Sequence, residues 1–236
     1  MRITVFNGSP RGRQSNTHKI VASLLEGAAQ AGAQTEEVFL EECDIQHCRG
    51  CFSCWTATPG ECVIKDDMPR LLDVFLESDY VGMATPVYGM FMTSILKKFC
   101  ERLLPLNTPH FHRDKDGRFY HKGRAKRLPR QFVIVNAGFP SKHNFDLFKA
   151  YMAVQSPVLE VYRNCGGILE ESHEDAINKR VAEFYDALRE AGKEMVINGR
   201  VSEAVIKKIH SELISDKEYM ARANQYWDRE IKGSRG

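Results

Sequence analysis

Residues 1–17 read MRITVFNGSPRGRQSNT: a short β-branched and aromatic run at residues 3–6, then Asn7-Gly8-Ser9-Pro10, then helix-capping residue types at Ser15, Asn16 and Thr17. An apolar run of strand length that stops at Gly and Pro is a buried strand ending in a turn. Ile20, Val21, Leu24, Leu25 and Ala28 follow at helical spacing as far as Gly32, which completes a strand-turn-helix unit. The alternation continues outward. A second strand is expected over residues 35–40, and a helix opening at Asp66-Asp67-Met68-Pro69 that buries Leu71, Leu72, Phe75 and Leu76. A third strand is expected over 80–85. The next helix carries Met92, Ile95, Leu96, Phe99 and Leu103 on one face, with Lys97, Lys98, Glu101 and Arg102 turned outward. Residues 131–136 form a near-continuous apolar strand, the kind found where both faces of a parallel sheet are covered. Residues 144 to about 163 read as a helix broken at Pro157, 167–169 as a short last strand, and Ser172 as the N-cap of a helix buried through Ile177, Val181, Phe184 and Leu188.

This pattern predicts an α/β fold with a doubly wound, five-stranded parallel sheet, helices on both faces, and ligands outside the carboxyl ends of the strands. Residues 1–192 are expected to form one domain, with a cysteine-rich loop at 43–62 inserted after the second strand, and residues 193–236 a helical C-terminal extension. Hydrophobic residues at 43% and charged residues at 27% of 236 fit a soluble globular chain. A net charge of +2 calls for neither a nucleic acid nor an acidic membrane. No apolar run approaches the roughly 18 residues of a membrane span, and the N-terminus has no signal-peptide pattern, so a cytoplasmic protein is expected. Seven cysteines, an odd number, favour reduced thiols or metal ligands over a disulfide framework.

The loop after the first strand supplies glycine, hydroxyls, an amide and two arginines at a helix N-terminus, where backbone N–H groups and the helix dipole attract an anion. A phosphate suits that place, although the same residues also make a plain turn and N-cap. Gly8-Ser9-Pro10-Arg11 with Ser15-Asn16-Thr17 resembles the FMN phosphate loop of the flavodoxin-like NAD(P)H-dependent FMN reductases. Thr85-Pro86-Val87-Tyr88-Gly89-Met90, followed by Leu96-Lys97-Lys98-Phe99 and Glu101-Arg102, is similar to that family's second loop and helix, and Asn136-Ala137-Gly138-Phe139-Pro140 to its third loop. The three segments fall at the ends of the first, third and fourth strands. The resemblance implies FMN held by Ser9, Arg11, Ser15, Asn16 and Thr17, by Pro86, Val87, Tyr88, Gly89 and Met90, and by Ala137 and Gly138.

Cys48-Arg49-Gly50-Cys51-Phe52-Ser53-Cys54 and, after seven intervening residues, Cys62 place four thiols in one loop. The repeated spacing lets three sulfurs face one centre, and the Thr58-Pro59-Gly60 turn can return Cys62 as a fourth ligand. Zinc is an alternative, although four-cysteine zinc sites usually come as two separated pairs, and unmetallated thiols are another. The motif resembles that of the iron-sulfur flavoproteins, a branch of the same fold carrying FMN and a 4Fe-4S cluster. That resemblance implies single-electron exchange between the two groups and a homo-oligomer, a dimer or tetramer, in which the cluster lies toward another subunit's flavin. Cys43, Cys100 and Cys165 read as small buried hydrophobes.

Between Arg113 and Arg130 eight basic residues stand against Asp114 and Asp116, with Asp114-Lys115-Asp116-Gly117 as a hairpin turn. This stretch is either a solvated excursion or a receiver for the phosphates of NAD(P)H or for an acidic electron-transfer protein. Together these readings describe an FMN-dependent oxidoreductase whose chemistry is borne by the flavin and not by an acid-base pair. Its expected partners are NAD(P)H, a quinone or a ferredoxin-like protein. Two alternatives remain: an FMN-only reductase of quinones or flavins, and a redox carrier or sensor without turnover.

Overall fold

A computed structural model describes residues 1–169 and 174–234. Strands β1 (Arg2–Asn7), β2 (Gln34–Phe39), β3 (Tyr80–Pro86), β6 (Arg130–Asn136) and β7 (Glu160–Arg163) form one parallel sheet in the order β2-β1-β3-β6-β7. Ile3 pairs with Thr35 on one side and Tyr80 on the other, and Tyr80 with Arg130. The order is that of the flavodoxin-like fold, which reverses direction at β1 and β3. Strands β4 (Asn107–Arg113) and β5 (Phe119–Gly123) form the antiparallel hairpin expected around Asp114–Gly117, with Gly117 at φ +83°.

Alternation within β1 fills both faces. Ile3 and Val5 pack with α1 (Asn16–Gln30) and α5 (Asp175–Asn198), whereas Phe6 joins α2 (Met68–Glu77) and α3 (Ser94–Glu101). Val133 and Val135 meet Phe145, Phe148 and Met152 around α4 (Asp146–Met152). Two further helices, α6 (Glu203–Ile209) and α7 (Asp216–Gly233), follow α5. Among the described residues no helix is long and apolar enough to cross a membrane.

Several expectations are corrected. Helix α4 ends at Met152, and the last strand is Glu160–Arg163; Gly166–Leu169 is a 3-10 turn. Pro157 stops the helix, and beyond it the burial of Leu159, Val161 and Arg163 alternates with period two, so the segment is a strand and not a continuing helix. The proposed cap at Ser172 lies outside the described residues. Helix α5 runs through Gly192 to Asn198, so the boundary placed after residue 192 falls inside a helix. That glycine marks close packing: a Cβ there would stand 2.1 Å from the Leu24 carbonyl oxygen of α1, and one on Gly27 1.8 Å from that of Arg189. Arg102, expected to face outward, is buried at 1% exposure.

Candidate functional site

Three loops meet at the carboxyl ends of β1, β3 and β6. In the first, the Asn7 amide organises the turn: its Oδ1 accepts from the Ser9 N–H at 2.8 Å and its Nδ2 donates to Glu37 Oε1 at 2.8 Å. Ser15 caps α1 by accepting from His18 N–H while donating to the Gly12 carbonyl at 2.7 Å. Asn16 donates to the Gly166 carbonyl at 2.7 Å, and the Thr17 hydroxyl to Asn136 Oδ1 at 2.6 Å. Ser9, Ser15, Asn16 and Thr17 are therefore buried and shape the loop from within, while Arg11 projects into solvent. These bonds fix the loop against the first turn of α1, the end of a helix at which the dipole is positive.

At the end of β3, Pro86 is buried and the Val87 N–H donates to the Asn136 carbonyl at 2.8 Å. Tyr88 and Phe91 then bond across a tight turn in which Gly89 and Met90 take φ +54° and +69°. Positive φ at both central residues marks a type I′ turn. It carries Tyr88 and Met90 outward at 51% and 54% exposure. On the far side Ala137 is buried, Gly138 is exposed, and a Cβ on Gly138 would meet nothing within 4 Å, so that backbone is open to a ligand. Thr93, which caps α3, donates to the Gly8 carbonyl at 2.6 Å and locks the first loop to the second. Thus the residues expected at the flavin site lie on three loops or on the helix and strand ends that flank them, and hydrogen bonds tie the three loops into one unit.

Sequence reasoning missed the ties themselves: Asn7, Thr93 and Asn136 as bond partners, and Glu37 with His18. His18 Nδ1 stands 2.7 Å from Glu37 Oε2, and burial pushes the Glu37 carboxyl up against the opposing effects of Asn7 and His18. Thr93 had a visible signal, a hydroxyl residue just before a helix-period run. Glu37 had none, because an acid in a β2 edge strand reads as solvated.

The four cysteines line one small cavity of about 20 Å³ together with Phe52, Arg102, Leu104 and Pro105. Cys48 and Cys51 are exposed, Cys62 is half-buried and Cys54 is buried. Burial pushes the Cys54 thiol up, reinforced by the negative charge of Cys62, Cys51 and Cys48, while Ser53 lowers Cys51 by hydrogen bonding. Positive φ at Gly50, Phe52 and Gly60 folds the loop tightly, and the Gly60 N–H closes it on the Cys54 carbonyl at 2.9 Å. Trp55 anchors it, donating to the Leu104 carbonyl at 3.2 Å and packing on His121 of β5 at 4.9 Å between ring centroids. Among the described residues no three Cys, His, Asp or Glu side chains converge to hold a single metal ion. Of the remaining cysteines, Cys165 is buried, and Cys43 and Cys100 pack at the core margin, where burial pushes Cys100 up to about 12.

The sequence model of the NADPH-dependent FMN reductases matches residues 1–122, more than half of the chain. The chain belongs to that family. An iron-sulfur flavoprotein of Archaeoglobus fulgidus is 38% identical over 105 residues, covering 44% of this chain and 46% of that protein. An iron-sulfur flavoprotein of Methanocaldococcus jannaschii is 29% identical over 154 residues, 65% of this chain and 76% of that one. The chain thus spans about half the length of the first of these relatives. An FMN-dependent NADH-azoreductase of Bacillus anthracis, solved in complex with FMN, superposes with a TM-score of 0.58 over 83% of this chain and 99% of that chain at 15% identity. At that identity the likeness concerns the fold. In this family member the three tied loops occupy the position where the flavodoxin-like sheet changes direction.

Proposed function

We propose that this chain is an FMN-dependent oxidoreductase that takes electrons from NAD(P)H or a redox protein, and that Cys48, Cys51, Cys54 and Cys62 hold a 4Fe-4S cluster. The observation that carries this reading is the presence in one chain of three interlocked loops at the sheet's switch point and four thiols around one cavity. Bound FMN would supply hydride acceptance and single-electron exchange, which leaves the chain to bind, orient and shield it. The first turn of α1 with Ser9, Ser15, Asn16 and Thr17 would hold the phosphate, Arg11 adding a charge from the rim. The turn from Pro86 through Val87, Tyr88, Gly89 and Met90 would flank the ring on one side, with Ala137 and Gly138 on the other.

Four thiols lining one cavity supply the ligand number of a 4Fe-4S cluster, and their tandem spacing departs from the two separated pairs usual in four-cysteine zinc sites. The names of the two relatives agree. Seven unpaired thiols suit a reducing compartment such as the cytoplasm. The strand–helix unit through Asn198 would carry this chemistry and the helices beyond it would serve as the C-terminal extension, with the β4–β5 hairpin receiving NAD(P)H phosphates or an acidic redox protein. Leu147, Tyr151 and Val154, exposed on and just beyond α4, offer a surface for a second subunit.

Protein purified without air, with its absorption spectrum recorded and flavin, iron and acid-labile sulfide quantified on the same sample, tests the reading. One flavin with about four irons and four sulfides per chain is expected. Flavin without iron or sulfide would leave an FMN-only reductase, and protein with neither, even after incubation with FMN, would overturn the assignment.

A further inference from the structure

Arg102 follows the last turn of α3, and its side chain is 1% exposed. Nη1 donates to Asp66 Oδ2 at 2.5 Å and to the Gln46 carbonyl at 2.7 Å, and Nη2 to Asp66 Oδ1 at 3.1 Å. Nε has no hydrogen-bond acceptor among the described residues. A guanidinium carries five N–H donors in a rigid fork, and a buried donor left unpaired is costly. This one belongs to a side chain that lines the cavity beside Cys48, Cys51, Cys54 and Cys62. Burial disfavours the guanidinium's charge, but Asp66 and then the Cys62 sulfur, by charge and by hydrogen bonding, outweigh it.

Its counter-charge stands behind it. Asp66 is not part of the cavity lining, and its oxygens also accept from the backbone N–H groups of Gln46 at 2.9 Å and Met68 at 3.1 Å. The carboxylate's charge is therefore shared with donors away from the thiols, whereas the guanidinium faces them. Arg102 is the C-cap residue of α3 but closes the helix through its backbone N–H, and a methionine or leucine would fill the volume of its side chain without desolvating an ion pair.

We propose that Arg102 is a fixed buried cation that sets the reduction potential of the group held by the four cysteines, through its charge and through donation to sulfur. The inference rests on the cluster reading above. Adding one electron makes the thiolate-bound group more negative by one unit, and a cation close by in a poorly screened interior favours that state. Arg102 is a positioning and tuning residue, since it acts on the electrons' destination without exchanging any itself. Lysine retains the charge but not the fork, so the two contributions separate.

The experiment uses air-free holoprotein of the wild type, Arg102→Met, Arg102→Lys and Asp66→Asn, with iron and sulfide quantified before an electron-paramagnetic-resonance redox titration. Arg102→Met is expected to shift the reduced-to-oxidised ratio at a fixed ambient potential by roughly tenfold toward the oxidised form, a 59 mV fall for a one-electron couple. Arg102→Lys should fall less. Asp66→Asn, which leaves the guanidinium uncompensated, should move the potential the other way. A residue with a merely structural role would not give shifts of opposite sign. Unmoved potentials, or Arg102→Met and Asp66→Asn moving together, would overturn the inference. Should Arg102→Met lose its cluster, the Arg102→Lys and Asp66→Asn pair still decides it by the sign of their shifts. Wild-type protein without iron would overturn the cluster reading and this inference with it; iron-loaded variants at the wild-type potential would overturn this inference alone.

Discussion

Buried between α3 and the cysteine loop, Asp66 and Arg102 have side chains 0% and 1% exposed, so neither has water to replace a lost partner. Burial alone would raise the Asp66 carboxyl, but the bonds from Arg102, Gln46 and Met68 outweigh it and hold it below the usual carboxylate range. A carboxyl lowered by folding adds stability above its unfolded-state pKa, and that contribution disappears as pH falls through the folded-state value. Asp66→Asn should therefore cost about 3 kcal/mol near neutrality, the scale of a broken buried pair. In urea titrations the gap between variant and wild type should close as the pH drops below about 4. A gap independent of pH would show that the carboxylate's charge is not what stabilises the fold. This pair was poorly legible in the sequence. A charged residue on an amphipathic helix reads as solvated, and Arg102 accordingly reads as outward-facing although it stands three residues after Phe99 of the inward stripe. Cysteine identity and spacing, by contrast, were explicit.

At the scale of elements, the sequence announced those whose apolar period is complete and missed those decided by a tertiary contact. Helices α1, α2 and α3 were visible in their stripes. Strand β7 was not, because Val158, Val161 and the aromatic Tyr162 also fit a helix until Pro157 is given full weight. Gly192 similarly reads as a helix end when no neighbour is known, yet it lies within α5, against the Leu24 carbonyl. Gly192→Ala should gain up to about 1 kcal/mol in helix propensity but lose more by forcing α1 and α5 apart, since overpacking costs about 1–3 kcal/mol. A lower urea midpoint is expected, and a raised one would mean that the helices yield without strain. The hairpin makes a different case. Arg118 and Lys122 are exposed and take no part in holding the cysteine loop, whereas Arg124 donates to the Cys54 carbonyl at 3.4 Å. Arg118→Glu with Lys122→Glu should weaken reaction with NADPH or an acidic redox protein at low salt, and the difference should shrink as ionic strength rises. Equal rates at every salt concentration would make the hairpin only a buttress for the loop.

Over the whole molecule, the repeated strand-helix order was enough to give the sheet, its parallel sense and the end that carries the ligand loops, because right-handed crossovers leave few topologies. The C-terminal helices were harder, since nothing local says where an amphipathic helix docks. Here they close the core: Val201, Val205, Ile209, Leu213, Ile214 and Tyr219 are buried in the cluster that contains Ile3 and Phe184. The Arg163 guanidinium, 2% exposed and 4.4 Å above the Phe184 ring, donates to the carbonyls of Ile209 and Ser211; burial pushes it down to about 10, so it stays charged at neutral pH. Burying five aliphatic side chains contributes roughly 10 kcal/mol, comparable to the whole stability of a domain. A chain ending at Asn198 should therefore lose cooperative unfolding and near-ultraviolet circular dichroism. A chain ending at Ser215 keeps those side chains and both carbonyl acceptors for Arg163 but loses α7, including the bond from the Gly167 N–H to the Tyr219 hydroxyl and the Arg222–Glu174 ion pair. It should fold, and bind FMN if the flavin reading holds, with a modestly lower melting temperature. Should the shorter chain unfold as sharply as the longer one, the tail would be a dispensable attachment; should both fail, α7 would belong to the core as much as α6 does.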